Sequence, residues 1–513
     1  MAALARRHVV VNVLRIFWVL VISWYEYGTF SSSVRSCTWP GDQADHTSIE
    51  SRPARVLLIA DPQIIDRNSY PQRGSLSAYL TRLIVDLNLR KNWHAAVKKD
   101  PDVVVFLGDM MDNGRSATSD GEYERYFARF KDIFKMDQNI SQYYIPGNHD
   151  VGLGKAIYTS ANAHSRYVEH FGEPNREISV ANHSLILFDA PGYADEDSQR
   201  YGQKKSLAQW VPRRGGALEF VNKFAKDKHV DPVVLFSHIP LYRSDGKNCG
   251  PLRERGTIRP GVGPGYQNIL EKQSSTHLLE MINPVVIFSG DDHDYCEYIH
   301  ESRPPKPPHT VREVTVKTLS MVMNVRRPGF QLLSLFPAEM RAEGLPTYAD
   351  MPCLLPDQLR IYINIYLPLL ALSVLAVFLT NAFGSRHAFH NKTSSELDAT
   401  SIFQANIEEP EQDDSDVNSR YASVPRGYQN NLTSRSSRSS GWFVLPGPRR
   451  QTGAGNSSLH GWLDQLRESL CFHISSKRPR RRTVLTTTLL DARDIAIFPL
   501  ATFVLITWWV VTR

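Results

Sequence analysis

Apolar residues along this chain fall into three long runs and a series of short ones. Val9 to Tyr25 is apolar apart from Asn12, Arg15 and Ser23, with Arg6 and Arg7 ahead of it. That run fits either a cleaved signal peptide or an uncleaved anchor. Cleavage wants small residues after the apolar stretch, whereas Trp24, Tyr25, Glu26 and Tyr27 follow and suit an interfacial aromatic belt. An anchor is therefore expected over 1–30. Leu359–Phe383 has the length of a membrane helix, and Asn364 and Pro368 are tolerable inside one. Ile495–Val511, with Trp508 and Trp509 near its end, reads as a third span.

The short runs are Val56–Ala60, Val103–Leu107, Tyr143–Ile145, Leu185–Phe188, Val233–Phe236 and Val285–Phe288. They mostly lack alternation, as strands buried on both faces do. Helical patterns such as Leu76–Val97 and Tyr123–Phe134 lie between them, which predicts an α/β layered fold. A polar linker, 31–54, precedes this domain at 55–336. A juxtamembrane segment, 337–358, leads to the membrane helix 359–383. Residues 384–493 are rich in Ser, Asn, Arg and Glu, and are predicted largely disordered apart from a short amphipathic helix near Leu459–Phe472. The last span and a short tail occupy 494–513.

Composition adds little to this and charge adds orientation. A hydrophobic content of 42% and a charged content of 22% are ordinary globular values. The net charge of +6 is mild, and the basic run Lys477–Arg482 lies far from the domain, where it would meet anionic lipid headgroups. No basic groove signature points to nucleic acid. Arg clusters at the N-terminus and in 384–493 place both on the cytosolic side, so the domain is expected in the lumen or outside the cell. Sequons at Asn139 and Asn182 would face that side, and those at Asn391, Asn431 and Asn456 would not. Four of the five cysteines, Cys37, Cys249, Cys296 and Cys353, would then sit where disulfides persist.

Five of the short runs stop at residues with metal-binding chemistry. Val56–Ala60 leads to Asp61-Pro62-Gln63, Val103–Leu107 to Gly108-Asp109, and Tyr143–Ile145 to Pro146-Gly147-Asn148-His149-Asp150. Val233–Phe236 leads to Ser237-His238, and Val285–Phe288 to Gly290-Asp291-Asp292-His293. Ligands of α/β sheets gather beyond the carboxyl ends of strands, so the five endings predict one pocket. Taken singly, a Gly-Asp is a turn, a histidine is a satisfied core or surface residue, and Asn-His-Asp is a helix cap. Five polar endings in one order outweigh those readings.

Two divalent cations held close together would clamp a phosphate and activate water between them. Asp109 suits the shared carboxylate. Asp61, Gln63 and His293 would complete one ion's ligands, and Asn148, His238 and Asp291 the other's. His149 is expected to protonate the departing alkoxide, with Asp150 orienting its ring. Arg115 would contact a substrate phosphate or form a turn salt bridge. Asp292 and Asp294 would bond to ligand histidines or face water. Asp195-Glu196-Asp197 would meet an ammonium group or form a solvated loop. Cys249 and Cys296 lie in loops that would border this pocket, so they are expected to pair. Cys37 and Cys353 lie beside membrane spans and would pair as well.

These blocks resemble those of the calcineurin-like metallophosphoesterases, with Gly147-Asn148-His149-Asp150 the most specific. The resemblance covers about residues 55 to 300 and implies a four-layer αββα sandwich with two metals at one end. Gln63 and Asp291 stand where that family usually has histidines. Amide and carboxylate donors harden the site and favour Mn²⁺ over Zn²⁺. The whole layout is similar to the fungal cell-division-cycle family and to animal phosphoesterases that remodel glycosylphosphatidylinositol anchors. That likeness implies removal of ethanolamine phosphate from an anchor mannose in the endoplasmic reticulum or Golgi, with lipid-anchored proteins as partners. Alternatives are a phosphatase on another lumenal substrate, or a regulator of manganese balance with little turnover.

Overall fold

The computed structural model describes residues 2–41, 52–154, 159–301, 310–338, 346–384 and 483–512. Two compact units divide the chain. One comprises Met1–Phe383 with Thr487–Arg513, and the other, Gly384–Thr486, is almost wholly outside the described residues. The helix expected near Leu459–Phe472, the run Lys477–Arg482 and the sequons at Asn391, Asn431 and Asn456 also lie outside the described residues.

The first unit is built on two facing sheets. Sheet one contains β1 (Ala54–Ile59), β2 (Val103–Phe106), β3 (Ser141–Tyr144), β12 (Gly329–Leu335) and β13 (Tyr348–Leu354), in the order β13-β12-β1-β2-β3. Sheet two contains β4 (Arg176–Val180), β5 (His183–Phe188), β6 (Val233–Ser237), β9 (Val286–Ser289), β10 (Cys296–Glu301) and β11 (Thr310–Thr315), in the order β10-β11-β9-β6-β5-β4. A small hairpin pairs β7 (Val262–Gly263) with β8 (Tyr266–Gln267). The strands that carry the predicted site run parallel to their neighbours: β1 with β2, β2 with β3, and β6 with β9.

Burial explains why these strands read as unbroken apolar runs. Val56 and Leu58 point between the sheets against Leu187, Val234 and Phe288. Leu57 and Ile59 point the other way, into a core with α2 (Ser75–Val97), α3 (Asp120–Ile133) and α5 (Ala163–Phe171). On sheet two, Ile186 and Leu235 face α6 (Ala190–Gly202), α7 (Ala217–Phe224) and α8 (Lys272–Ile282). The result is helix, sheet, sheet, helix: the four-layer α/β sandwich. A further short helix, α4 (Asn148–Val151), follows β3.

Among the described residues, three helices are long and apolar enough to cross a membrane. The first is α1 (Ala2–Ser23), continued by short helical turns to Ser33. The others are α9 (Gln358–Gly384) and α10 (Val484–Thr512). They pack together through Val11, Trp18, Val377 and Ile495, and Trp18 Nε1 donates to Ser373 Oγ at 3.1 Å. Three expected boundaries differ. The first helix passes residue 30, the third begins at Val484 rather than 494, and the sheet continues past Phe336 through β13. Residues 348–354 are therefore an edge strand and not juxtamembrane chain. Pro352 and a mixed pattern hide the strand, because an edge strand tolerates both.

Candidate metal centre

Three of the five strands, β1, β2 and β9, hand their donors to the site through a strained turn. Asp61, Gln63, Asp109, Asp291 and His293 all have positive φ, between 36° and 69°. Such backbone costs non-glycine residues ~1–3 kcal/mol each and persists where surrounding structure holds it. Here the holding bonds are visible. Gln63 N donates to Asp109 O at 2.9 Å, Asp291 N to Asp61 Oδ1 at 3.1 Å, and Thr318 N to His293 O at 3.0 Å. Thr318 Oγ1 also donates to Asp61 O at 2.7 Å.

Side-chain donors converge on Asp109. Ligand atoms of Asp61, Asp109 and His293 lie within 4.8 Å of one another, as do those of Asp109, His238 and Asp291. Asp109 thus belongs to both groups. His238 Nδ1 meets Leu107 O at 2.7 Å, which leaves Nε2 facing Asp109 Oδ1 at 3.4 Å and Asp291 Oδ1 at 3.5 Å. Asn148 Nδ2 donates to Gly265 O at 2.8 Å, so its Oδ1 points inward, 3.2 Å from His238 Nε2. Gln63 Nε2 donates to Asp109 Oδ2 at 2.9 Å.

The charge balance of this cluster calls for cations. Asp61 Oδ2 and Gln63 Oε1 are buried with no hydrogen-bond partner. Burial pushes the Asp61 carboxyl well above its ordinary range, and the charges of Asp109 and Asp291 add to the push. Burial alone would lower His238, but Asp109 and Asp291 outweigh it and raise the imidazole well above its usual value. Asp109 is held low by His238 and His149 despite its burial. Burial lowers His293 to about 4, leaving a neutral imidazole with a lone pair to give. A largely buried cluster of carboxylates, orphaned oxygens and neutral imidazole nitrogen fits a pair of divalent ions.

Four expectations are corrected. Asp150 does not touch the His149 ring; its carboxylate accepts from the backbone of Gly147, Met110 and Met111 at 3.0 to 3.3 Å. His149 Nδ1 instead meets the carbonyl of Asp112 at 2.5 Å, with Asp112 Oδ1 at 3.5 Å. Arg115 is buried, and its Nη1 donates to Asn148 O at 2.8 Å and Gly265 O at 3.0 Å, so it braces the site rather than facing substrate. Asp292 pairs with Arg253, and Asp294 accepts from the backbone of Glu254 and Arg255; neither bonds a ligand histidine. Glu196 and Asp197 are buried against Trp210 and Arg200, and so form neither an ammonium site nor a solvated loop.

Sequence reasoning also missed the hairpin β7–β8, whose Gly265 carbonyl fixes both Asn148 and Arg115. The turn Pro264-Gly265 was its one visible signal. Cys249 is bonded to Cys296 at the rim, joining the loop after β6 to the start of β10, and Cys37 is bonded to Cys353.

A sandwich of this topology with paired Asp/His donor groups at its strand ends defines a class, and comparison with known proteins agrees. The family model for calcineurin-like phosphoesterases matches residues 54–295. The chain belongs to that family and is a metal-dependent phosphoesterase. It is 34% identical to cell division control protein 1 of Saccharomyces cerevisiae, over 68% of this chain and 70% of that one. It is 24% identical to metallophosphoesterase 1 of Ailuropoda melanoleuca, over 66% of this chain and 81% of that one. A solved purple acid phosphatase from yellow lupin aligns with 60% of this chain and 55% of that chain, at 14% identity and a TM-score of 0.34.

Proposed function

We propose that this chain is a membrane-anchored phosphodiesterase of the early secretory pathway that removes ethanolamine phosphate from a mannose of glycosylphosphatidylinositol anchors. The observation that carries the reading is a two-ion donor set, shared through Asp109, on a chain with three membrane-length helices. Two disulfides in the catalytic unit support an oxidising compartment and hence a lumenal domain. The likeness of Asp61-Pro62-Gln63 and Gly290–Cys296 to the fungal family supports the substrate.

Asp61, Gln63, Asp109 and His293 would hold one ion, and Asp109, Asn148, His238 and Asp291 the other. The hardness of Gln63 and Asp291 favours Mn²⁺. When bound, the pair supplies positive charge to phosphate oxygens and acidifies water. His149 has a side chain 26% exposed at the mouth, and its Nδ1 is tied to Asp112, so Nε2 is the atom free to act. As a water oxygen bonds to phosphorus and gives one proton to solvent, the phosphorus–mannose oxygen bond breaks and His149 gives the mannose oxygen its proton, which solvent then restores to the ring. Ethanolamine phosphate leaves.

Mass spectrometry of anchor glycans tests this. Cells lacking the protein should retain ethanolamine phosphate, rescued by the wild type and not by Asp109→Ala. Unchanged glycans would reject the substrate.

A further inference from the structure

Helix α2 carries an apolar face that the catalytic fold does not use. Leu76, Tyr79, Leu80, Leu83 and Ile84 form one stripe of a 3.6-residue helix, and each is between 40% and 72% exposed. Farther along, Val85, Leu89 and Trp93 turn inward and pack in the core beneath sheet one. The stripe is therefore confined to the helix's first half. Five adjacent large apolar side chains are not a surface that water tolerates without a partner.

Contacts with the third membrane-length helix set where this stripe lies. The His94 ring meets Trp509 edge-on, with centroids 4.8 Å apart. Leu87 lines a small cavity with Ile506 and Val510. Ile84 lines an apolar cavity of about 550 Å³ among the three membrane-length helices, together with Ile22 and Phe503. From His94 to Ile84 is ~15 Å of helix rise, and from Trp509 to Phe503 is ~9 Å. So α2 runs beside α10, and its stripe extends from the level of Phe503, away from the helix end at Trp509. That is the layer in which the flanking helices are themselves apolar.

Chain connectivity ties the stripe to the site. The loop before α2 leaves β1 through Asp61 and Gln63. Within that loop Asp66 Oδ1 accepts from Asn113 Nδ2 at 3.0 Å, and the same amide donates to Asp112, the partner of His149. Because α2 follows β1 and leads to β2, which runs parallel to it, its first turns stand at the carboxyl end of β1, the metal-centre edge of the sandwich.

We propose that the amino-terminal half of α2 inserts into the acyl layer of the bilayer beside the membrane-spanning helices. It would hold the metal-centre edge at the membrane surface, so that the phosphodiester reaching the site is one carried on a lipid. The bilayer is the occupant because the stripe is continuous, through Ile84, with the surface of helices that need that same solvent. The inference rests on phosphoesterase activity and on the spans, and not on the anchor glycan as substrate.

The test uses the full chain in palmitoyloleoylphosphatidylcholine nanodiscs. With Cys471→Ser in place, the other four cysteines are in disulfides. A fluorophore on Leu80→Cys or Leu83→Cys should be quenched by acyl-chain doxyl lipid and shielded from aqueous iodide, whereas one on Lys226→Cys should show the reverse. Iodide quenching at positions 80 and 83 equal to that at 226 would overturn the proposal. Separately, Leu80→Glu with Leu83→Glu should keep turnover of soluble bis(4-nitrophenyl) phosphate. It should lose about tenfold on a 4-nitrophenyl phosphodiester of a dialkylglycerol in the same discs, since membrane placement raises effective concentration. Equal turnover of the lipid substrate, or equal loss on both, would also overturn it. Unchanged anchor glycans in deleted cells would leave every one of these readouts where it stands.

Discussion

A Cβ on Gly147 would lie 2.0 Å from Asp109 Oδ1 and 2.3 Å from the Asp109 amide nitrogen. Backbone and shared carboxylate touch there with no room for a methyl group. Gly147→Ala should push Asp109 from its place and cut metal affinity by about 10- to 100-fold, the scale seen when a ligand's support is lost. Bound metal measured beside kcat checks this; full occupancy with full activity would show that Asp109 has other freedom. His149 and Asp150 are neighbours with different work. His149→Ala should lower kcat by about 10²- to 10⁴-fold with little change in thermal stability. Asp150→Asn replaces one of the two buried oxygens that accept from three backbone N–H groups with an NH₂ donor and should cost ~1–3 kcal/mol, visible as a lower unfolding midpoint. The donor residues were legible in sequence because each follows its strand directly. The role of Asp150 was not, because successive residues of α4 point about 100° apart and adjacency says nothing of direction. Arg115 and Asp112 are set by carbonyls and rings that meet only in the folded chain.

At the scale of elements, the parallel strands were readable from their apolar runs, since burial on both faces removes alternation. β4, β10, β11, β12 and β13 were not, so sheet one is two strands wider and sheet two three strands wider than those runs imply. Nor could sequence reveal how β6, β9, β10 and β11 are clamped. Glu313 on β11 is fully buried and accepts from Ser289 Oγ at 2.7 Å and from Leu241 N at 3.2 Å. It also pairs with Arg243 at 2.9 Å and His300 at 2.6 Å. Burial alone would raise its pKa, but Arg243 and His300 outweigh that and hold it below the ordinary glutamate value. A depressed folded pKa contributes stability that is present above the unfolded value of ~4.3 and lost as pH falls through the folded one. Acid unfolding of wild type should therefore steepen below about pH 4.3, and Glu313→Gln should flatten that limb. The same change leaves Arg243 buried without its counter-charge and should cost ~3–5 kcal/mol at neutral pH. Chemical denaturation at two pH values reads both effects; an unchanged acid limb would remove Glu313 from the account.

At the scale of the whole molecule, the catalytic sandwich is fastened to its membrane-length helices by polar and covalent ties. Lys91 on α2 pairs with buried Glu26 at 2.7 Å and donates to Gln358 at 3.2 Å, while Cys37–Cys353 joins the end of the first helix to β13. The sandwich itself closes on a cluster with too much negative charge. Asp61, Asp109 and Asp291 converge with two buried oxygens left unpartnered, so the folded chain binds cations that the unfolded chain has no site to hold. Metal binding is then part of folding stability. At a free concentration of ~100 times its dissociation constant, an ion adds about 2.7 kcal/mol. For a domain of this size that is roughly 5–10 °C in the unfolding midpoint. Chelation of the full chain should lower the midpoint by that order, and Mn²⁺ should restore both midpoint and activity better than Zn²⁺. In Asp109→Ala, which removes the carboxylate common to both donor groups, added Mn²⁺ should leave the midpoint unmoved. A midpoint indifferent to chelation in the wild type would mean that the buried charges are balanced from within, and the two-ion reading of this site would fall.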